Sequence, residues 1–148
     1  MDGFGQKALS WDDDSSKVKR AKIVADEIKR YLVLSKEMAG LEYGCGTGLL
    51  SFNLQPYLKK IILTDISEGM ISVLKRKIRQ NDLHNMFPIK TNLLEDPIQN
   101  ETYDLIYTLM ALRHVVETKK ILKRFHSLMK PGGYLCIADL GGRRWDIS

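Results

Sequence analysis

The feature that most restricts this chain is an alternating glycine triplet, Gly44-Cys45-Gly46-Thr47-Gly48, set between the apolar run Ala39 to Tyr43 and a helical stretch, Leu49 to Leu58. That order reads strand, tight turn, helix. Glycine opens backbone conformations closed to other residues and lets a ligand lie against the main chain. In an open parallel sheet such a turn falls at the carboxyl ends of the strands, where ligands bind. The loop alone fits a plain tight turn equally well, so its context matters. The next apolar run, Ile61 to Thr64, ends at Asp65, seventeen residues past Gly48. A carboxylate there can accept hydrogen bonds from both hydroxyls of an adenosine ribose, or else serve as a turn or capping residue.

The same rhythm organises the rest of the chain. Ser15 to Leu34 carries Ala21, Val24, Ile28, Tyr31 and Leu32 at helical period, with Ser15 or Ser16 as the expected N-cap, and forms a helical cap at about residues 15–35. A helix is predicted from Glu68 to about Asn81, capped by Ser67. Further strands are predicted at Met86 to Lys90, Tyr103 to Leu109 and Gly133 to Asp139. Between the last two, Val115, Ile121, Leu122, Phe125, Leu128 and Met129 mark one helix face, which stops at Lys130-Pro131-Gly132-Gly133. Strands that are apolar throughout, separated by amphipathic helices, indicate a parallel sheet covered on both faces. The fold class is therefore α/β, doubly wound, as one domain over residues 1–148 with five expected strands.

Two nucleotide cofactor classes share this geometry. A dinucleotide brings a pyrophosphate, which calls for Gly-x-Gly-x-x-Gly and a helix N-terminus. Here the third glycine comes one residue early, and Glu42 sits two residues before the first. That carboxylate would repel a pyrophosphate but complements the amino group and sulfonium of S-adenosylmethionine.

At this point the sequence resembles a known group, the class I S-adenosylmethionine-dependent methyltransferases, with their Rossmann-like fold. Leu41 to Gly48 is similar to the first signature of that family, and Leu63 to Ile71 to the second. Tyr103-Asp104-Leu105-Ile106-Tyr107 resembles the fourth-strand motif, and Leu128 to Leu135 the passage into the fifth strand. The resemblance implies that Glu42, Tyr43 and the loop Gly44, Cys45, Gly46, Gly48 and Leu49 hold the methionine moiety. By the same resemblance Asp65 binds the ribose, and Ile66 and Met70 flank the adenine. Asn92 and Leu93 stand where the family often has an acidic residue on the adenine amino group, a departure that retains an acceptor. Thr108 and Leu109 would line the reactive side. Arg113-His114 resembles a pair often written His-His in small-molecule methyltransferases. His114 then either shapes the substrate pocket or takes a proton as the catalytic base, or simply starts a helix. Trp11-Asp12 is similar to an aromatic-acidic element that can close over the cofactor; an ordinary terminus fits as well.

The remaining signals set boundaries. Two cysteines and three histidines form no disulfide framework and no metal-ligand spacing, so no metal is expected. The net charge of +5 comes mainly from Lys and Arg alternating with apolar positions on helices, which reads as solvated outer faces rather than a nucleic-acid surface. No apolar run is long enough to cross a bilayer, and a cytoplasmic location is expected. The chain ends eight residues after Leu140, where family members continue into further strands. A truncated product, a minimal cofactor-binding protein and a chain completed by homodimerisation through an exposed sheet edge all fit that ending. The expected activity is methyl transfer from S-adenosylmethionine to a small-molecule acceptor, yielding S-adenosylhomocysteine. The alternatives are a non-catalytic module binding the same cofactor and, third, a nicotinamide-dependent oxidoreductase.

Overall fold

A computed structural model describes residues 8–97, 101–109, 118–138 and 145–147. Five strands run parallel: β1 (Ala39–Tyr43), β2 (Lys60–Asp65), β3 (Met86–Lys90), β4 (Tyr103–Leu109) and β5 (Met129–Ala138). A sixth, β6 (Trp145–Ile147), pairs antiparallel with Cys136 to Ala138 of β5. The spatial order is β3-β2-β1-β4-β5-β6. The chain therefore winds outward from β1 to one side, returns, and winds to the other, so the crevice lies between the carboxyl ends of β1 and β4.

Both faces of the sheet are covered, which is why the strands lack alternation. On one face pack α1 (Ser15–Tyr31), α2 (Leu49–Leu54) and α3 (Glu68–Gln80), whose Ala21, Val24, Ile28, Leu50, Leu54, Leu74 and Ile78 meet Ile61, Leu63, Leu105 and Tyr107. On the other lies α4 (Thr118–Leu128), where Ile121, Phe125 and Leu128 meet Ala39, Leu41, Ile62 and Ile106. Roughly 25 cal/mol per Å2 of apolar surface removed from water drives both contacts.

Several boundaries differ from the sequence reading. Asp14, not Ser15 or Ser16, caps α1: its side chain accepts from the Ser16 amide at 2.9 Å and the Ser16 hydroxyl at 2.6 Å. The expected Leu49–Leu58 helix stops at Leu54 and tightens into a 3-10 turn, Gln55–Tyr57, at Pro56. A proline within that turn removes an amide donor and loosens the α ladder. Ser67 caps α3 as expected, accepting from the Met70 amide at 3.2 Å. β5 begins at Met129 rather than Gly133, with a register irregularity between Tyr103 and Leu105 that absorbs Pro131 and the glycines. Its carboxyl end is not left as an edge, because β6 covers it.

The true edge at the other side is β3. Ile61 N donates to Asn85 O at 2.8 Å and Thr91 N to Asp65 O at 2.9 Å, so the odd-numbered residues of β3 face β2 and the even-numbered ones face outward. Pro88 occupies an outward slot.

Candidate active site

Hydroxyls from both neighbours pin the end of β1. Thr64 Oγ1 donates to Glu42 O at 2.8 Å and Thr108 Oγ1 to Tyr43 O at 2.9 Å, while Cys45 N donates to Thr64 O at 2.9 Å. From that anchor the chain turns through Gly44, Gly46 and Gly48 at φ +65°, +56° and +83°, the left-handed region that glycine enters without a Cβ penalty. Gly48 also packs tightly, since a Cβ there would stand 2.7 Å from Leu74 Cδ1.

Asp65 links this loop to β2. Its Oδ2 accepts from Gly46 N at 2.8 Å and its Oδ1 from Ser67 N at 2.8 Å. The turn role and the ligand role are alternatives in the sequence; these two bonds fulfil the first.

Glu42 lies beneath the loop, 2% exposed. Its Oε1 accepts from the Ser51 hydroxyl of α2 at 2.5 Å, and Ser51 Oγ is 2.6 Å from the hydroxyl of Tyr107 on β4. Ser51 has one proton and gives it to Glu42, so Tyr107 is the donor in the second bond. The Tyr107 ring passes close to Gly40 of β1, where a Cβ would stand 3.4 Å from its Cε1. Burial pushes the Glu42 carboxyl up to about 8, against the opposing Ser51 bond and with added repulsion from Asp65. Burial likewise raises Tyr107 and Cys45, each with Glu42 as the next cause, and keeps both neutral.

A 3-10 helix, Ala8–Asp13, closes the outer side of the loop. Asp12 Oδ1 accepts from Thr47 Oγ1 at 2.5 Å, and Asp12 Oδ2 pairs with Lys77 Nζ of α3 at 2.6 Å. Lys77 Nζ also donates to Thr47 O at 2.8 Å and lies 4.6 Å from the Phe52 ring centroid. The Trp11 Nε1 is 3.7 Å from where a Gly46 Cβ would be. Trp11-Asp12 is thus joined to the glycine loop.

The other sequence candidates divide. Tyr43 is half-buried, edge-on to Phe125 at 5.5 Å, and Cys45 is buried with its Sγ 3.4 Å from Gly46 O. Met70 is buried with Sδ 3.9 Å from the Gly46 position, whereas Ile66 is 63% exposed beside Asp65. Leu49 and Leu109 pack against the core formed with α1 to α3. Thr108 commits its hydroxyl to Tyr43, as given above. Asn92 forms a side-chain turn, its Oδ1 accepting from Leu94 N at 3.1 Å, and its amide N donates to Asp96 Oδ2 at 2.9 Å. Leu93 does not join it: the side chain is 1% exposed and packs in the core beneath α4. A leucine following the crevice residue finds more apolar surface there than beside a ligand. His114 and Arg113 lie outside the described residues.

Sequence reasoning missed Ser51, Tyr107 and Lys77. Ser51 sits among apolar residues of a helix and Tyr107 in an apolar strand, so neither stands out by type. Only the pairing of Glu42 with Tyr107 across β1 and β4 brings them together.

No group of three or more metal-ligating side chains occurs among the described residues, and none of their helices is long and apolar enough to cross a membrane.

Comparison with known proteins agrees with this geometry. The family model described as a methyltransferase domain matches residues 41–135. An uncharacterized methyltransferase of Schizosaccharomyces pombe is 31% identical over 111 residues, 70% of this chain and 39% of that protein. A demethylmenaquinone methyltransferase of Oceanobacillus iheyensis is 31% identical over 116 residues, 76% of this chain and 48% of that protein. The chain therefore spans less than half the length of these curated relatives. A crystal structure of an S-adenosylmethionine-dependent methyltransferase from Clostridium acetobutylicum superimposes with a TM-score of 0.67 at 26% identity, over 87% of this chain and 52% of that one. With the glycine loop, the Asp65 link and the β3-β2-β1-β4-β5 order in place, the match over residues 41–135 identifies this chain as a member of the class I S-adenosylmethionine-dependent methyltransferase family.

Proposed function

We propose that the chain binds S-adenosylmethionine across the carboxyl ends of β1, β2 and β4 and transfers its methyl group to a small-molecule acceptor. The observation that carries this reading is the joining of the left-handed glycine loop to Asp65, with the Glu42 carboxyl buried at the end of the strand that leads into the loop. This donor set suits the cofactor: a carboxylate of the kind that accepts from ribose hydroxyls, and a carboxyl of opposite sign for a cationic methionine end.

Asp65 would hold the ribose, Ile66 and Met70 the adenine faces, and Asn92 the adenine amino group. Glu42 and the backbone from Gly44 to Leu49 would hold the methionine end. The cofactor, when bound, supplies a methyl group already activated by its sulfonium. What is left to the protein is alignment and exclusion of water, the entropic part of catalysis. Asp65 and the threonine-pinned end of β1 fix the loop, while the Ala8–Asp13 segment covers its outer side. For an acceptor oxygen or nitrogen that must lose a proton, His114 is the side chain proposed to take it. The similarity to a demethylmenaquinone methyltransferase makes demethylmenaquinone the first acceptor to assay.

Isothermal titration with S-adenosylmethionine, S-adenosylhomocysteine and NADH tests the reading. Saturable binding of both sulfur compounds, weakened tenfold or more in Asp65→Ala, is the expected result. Binding of NADH alone would overturn it. Cofactor binding without turnover of any acceptor would favour a non-catalytic binding module instead.

A further inference from the structure

We propose that Arg124, on α4, is a positioning residue of the cofactor site: it clamps the turn over residues 92–96 so that Asn92 presents a fixed acceptor, and through that acceptor the site prefers a 6-aminopurine to a 6-oxopurine. The proposal rests on S-adenosylmethionine or its product being the ligand, with its adenine against Asn92.

The turn begins beside the carboxylate assigned to the ribose. Asp65 pairs with Lys90, and Thr91 N donates to Asp65 O at 2.9 Å, so Asn92 stands one residue past that rung. From there the main chain closes on itself. Asn92 O accepts from Glu95 N at 3.1 Å and Asp96 N at 2.8 Å, while Asp96 Oδ2 accepts from Asn92 N at 2.9 Å and Thr91 Oγ1 at 3.1 Å. The Asn92 side chain is oriented from inside the turn: its Oδ1 accepts from Leu94 N at 3.1 Å, and turning the amide over would set its NH2 against that N–H. An amide oxygen accepts two hydrogen bonds, so Asn92 offers an acceptor to a ligand amino group and cannot exchange it for a donor while the Leu94 bond stands.

Two further carbonyls of the turn are held by Arg124. Its Nε donates to Leu93 O at 3.2 Å and its Nη2 to Asp96 O at 3.2 Å. The guanidinium therefore spans the turn from its second residue to its last with one rigid, planar fork. Lys119, Lys120 and Lys123 of the same helix are exposed, whereas Arg124 is half-buried, an exception to the solvated basic face expected from the sequence. Leu93 supplies the apolar part of the attachment, since its buried side chain belongs to the core cluster with Ile121 and Phe125 of α4. Both Arg124 bonds go to main-chain oxygens, so they fix the path of the turn whatever its side chains, and Asn92 is the first residue on that path.

The probes are S-adenosylhomocysteine and S-inosylhomocysteine, its analogue with a 6-oxo group in place of the 6-amino group. Isothermal titration of the wild type should show a preference of about tenfold or more for the amino compound, because the oxo group meets the Asn92 oxygen lone pair to lone pair. Arg124→Met should shrink this preference to about threefold or less, as the acceptor is no longer held in place. Arg124→Lys, whose ammonium serves one carbonyl at a time, should fall between, and it carries the same test if the methionine variant does not fold. Asn92→Ala should abolish the preference, and adding Arg124→Met should change it no further, since one residue acts through the other. An equal loss of affinity for both compounds in the Arg124 variants would make Arg124 a packing residue and overturn its positioning role. Equal wild-type affinity for the two would overturn base selection and leave the cofactor assignment intact.

Amide exchange without ligand separates the clamp from the cofactor reading. Arg124→Met should speed exchange at Leu94, Glu95 and Asp96, whose N–H groups bond inside the turn, by about tenfold, while β1 and β4 stay protected. Unchanged exchange overturns the clamp whether or not either compound binds. Faster exchange in a protein whose wild type binds neither compound would leave the clamp as a feature of the fold and overturn its part in base selection together with the cofactor assignment.

Discussion

Replacing Gly48 by alanine tests whether the loop is glycine-rich for its backbone or for its packing. Gly48 stands at φ +83°, where an L-residue costs about 1–2 kcal/mol. A Cβ there would lie 2.7 Å from Leu74 Cδ1, 3.3 Å from Leu63 Cδ2 and 3.4 Å from Phe52 Cδ2. Leu74 and Leu63 are fully buried, so neither can swing its methyl into solvent. Overpacking of this kind adds roughly 1–3 kcal/mol. The sum is about 2–5 kcal/mol, and at roughly 2–4 °C per kcal/mol for a chain this size Tm should fall by about 4–20 °C. Gly46→Ala is the matched control: φ is +56°, and the nearest atoms to a Cβ are Trp11 Nε1 at 3.7 Å and Met70 Sδ at 3.9 Å, ordinary contacts. It should carry the backbone cost alone, about 1–2 kcal/mol. Urea unfolding of both variants, followed by circular dichroism, gives the comparison. Equal destabilisation, or a larger effect at Gly46, would refute the claim that Leu74 forbids a side chain at Gly48.

Three further outcomes are expected. Lys77→Met, which keeps the stem over Phe52 but removes the ion pair with Asp12, should cost about 1 kcal/mol given the partial exposure of both partners. Amide exchange in Ala8–Asp13 should then speed up while β1 stays protected, and uniform protection would show that Lys77 does not hold this segment. The Lys60 ammonium, 2.6 Å away, holds the Glu101 carboxyl below its ordinary range. The stability it adds is present above the unfolded pKa and lost as pH falls through the folded one, so Glu101→Gln should cost at most about 1 kcal/mol at neutral pH and nothing in strong acid. A cost that persists in acid would assign the effect to packing. Cys45 and Cys136 are buried thiols that burial holds protonated, so a thiol reagent at about pH 8 should label neither in the folded protein and both in urea. Rapid labelling of folded protein at Cys45 would show that the loop opens.

Much of the fold was legible because its strands are apolar runs and its turns carry glycine. Residues such as Ile61, Leu63, Leu105 and Ile106 announce a sheet buried on both faces, and the intervening helices cover it on both. Boundaries failed where neighbours compete. Asp14, Ser15 and Ser16 are all good caps, and only the backbone geometry selects Asp14. β6 carries no periodic signal in its three residues, since its pairing depends on β5 being already in place. The site was half legible. Glycine spacing and the position of Asp65 are local facts, and they located the crevice. The Glu42, Ser51 and Tyr107 chain joins residues on three elements, and nothing in the order of residue types encodes that a strand tyrosine would stand beside the carboxyl. The packing of the Leu93 side chain in the cluster under α4, one residue past the turn at Asn92, was likewise not written in the order of residue types.

The outward slot of Pro88 bears on how these molecules behave when crowded. An incoming strand laid along β3 would find carbonyls at residues 86, 88 and 90 but amide donors only at 86 and 90, because proline has none. The gap falls at the middle of a five-residue strand and splits any borrowed ladder into two single rungs. The β3 edge therefore presents no unbroken template, a form of resistance to fibrous self-association that costs the fold no charged residue.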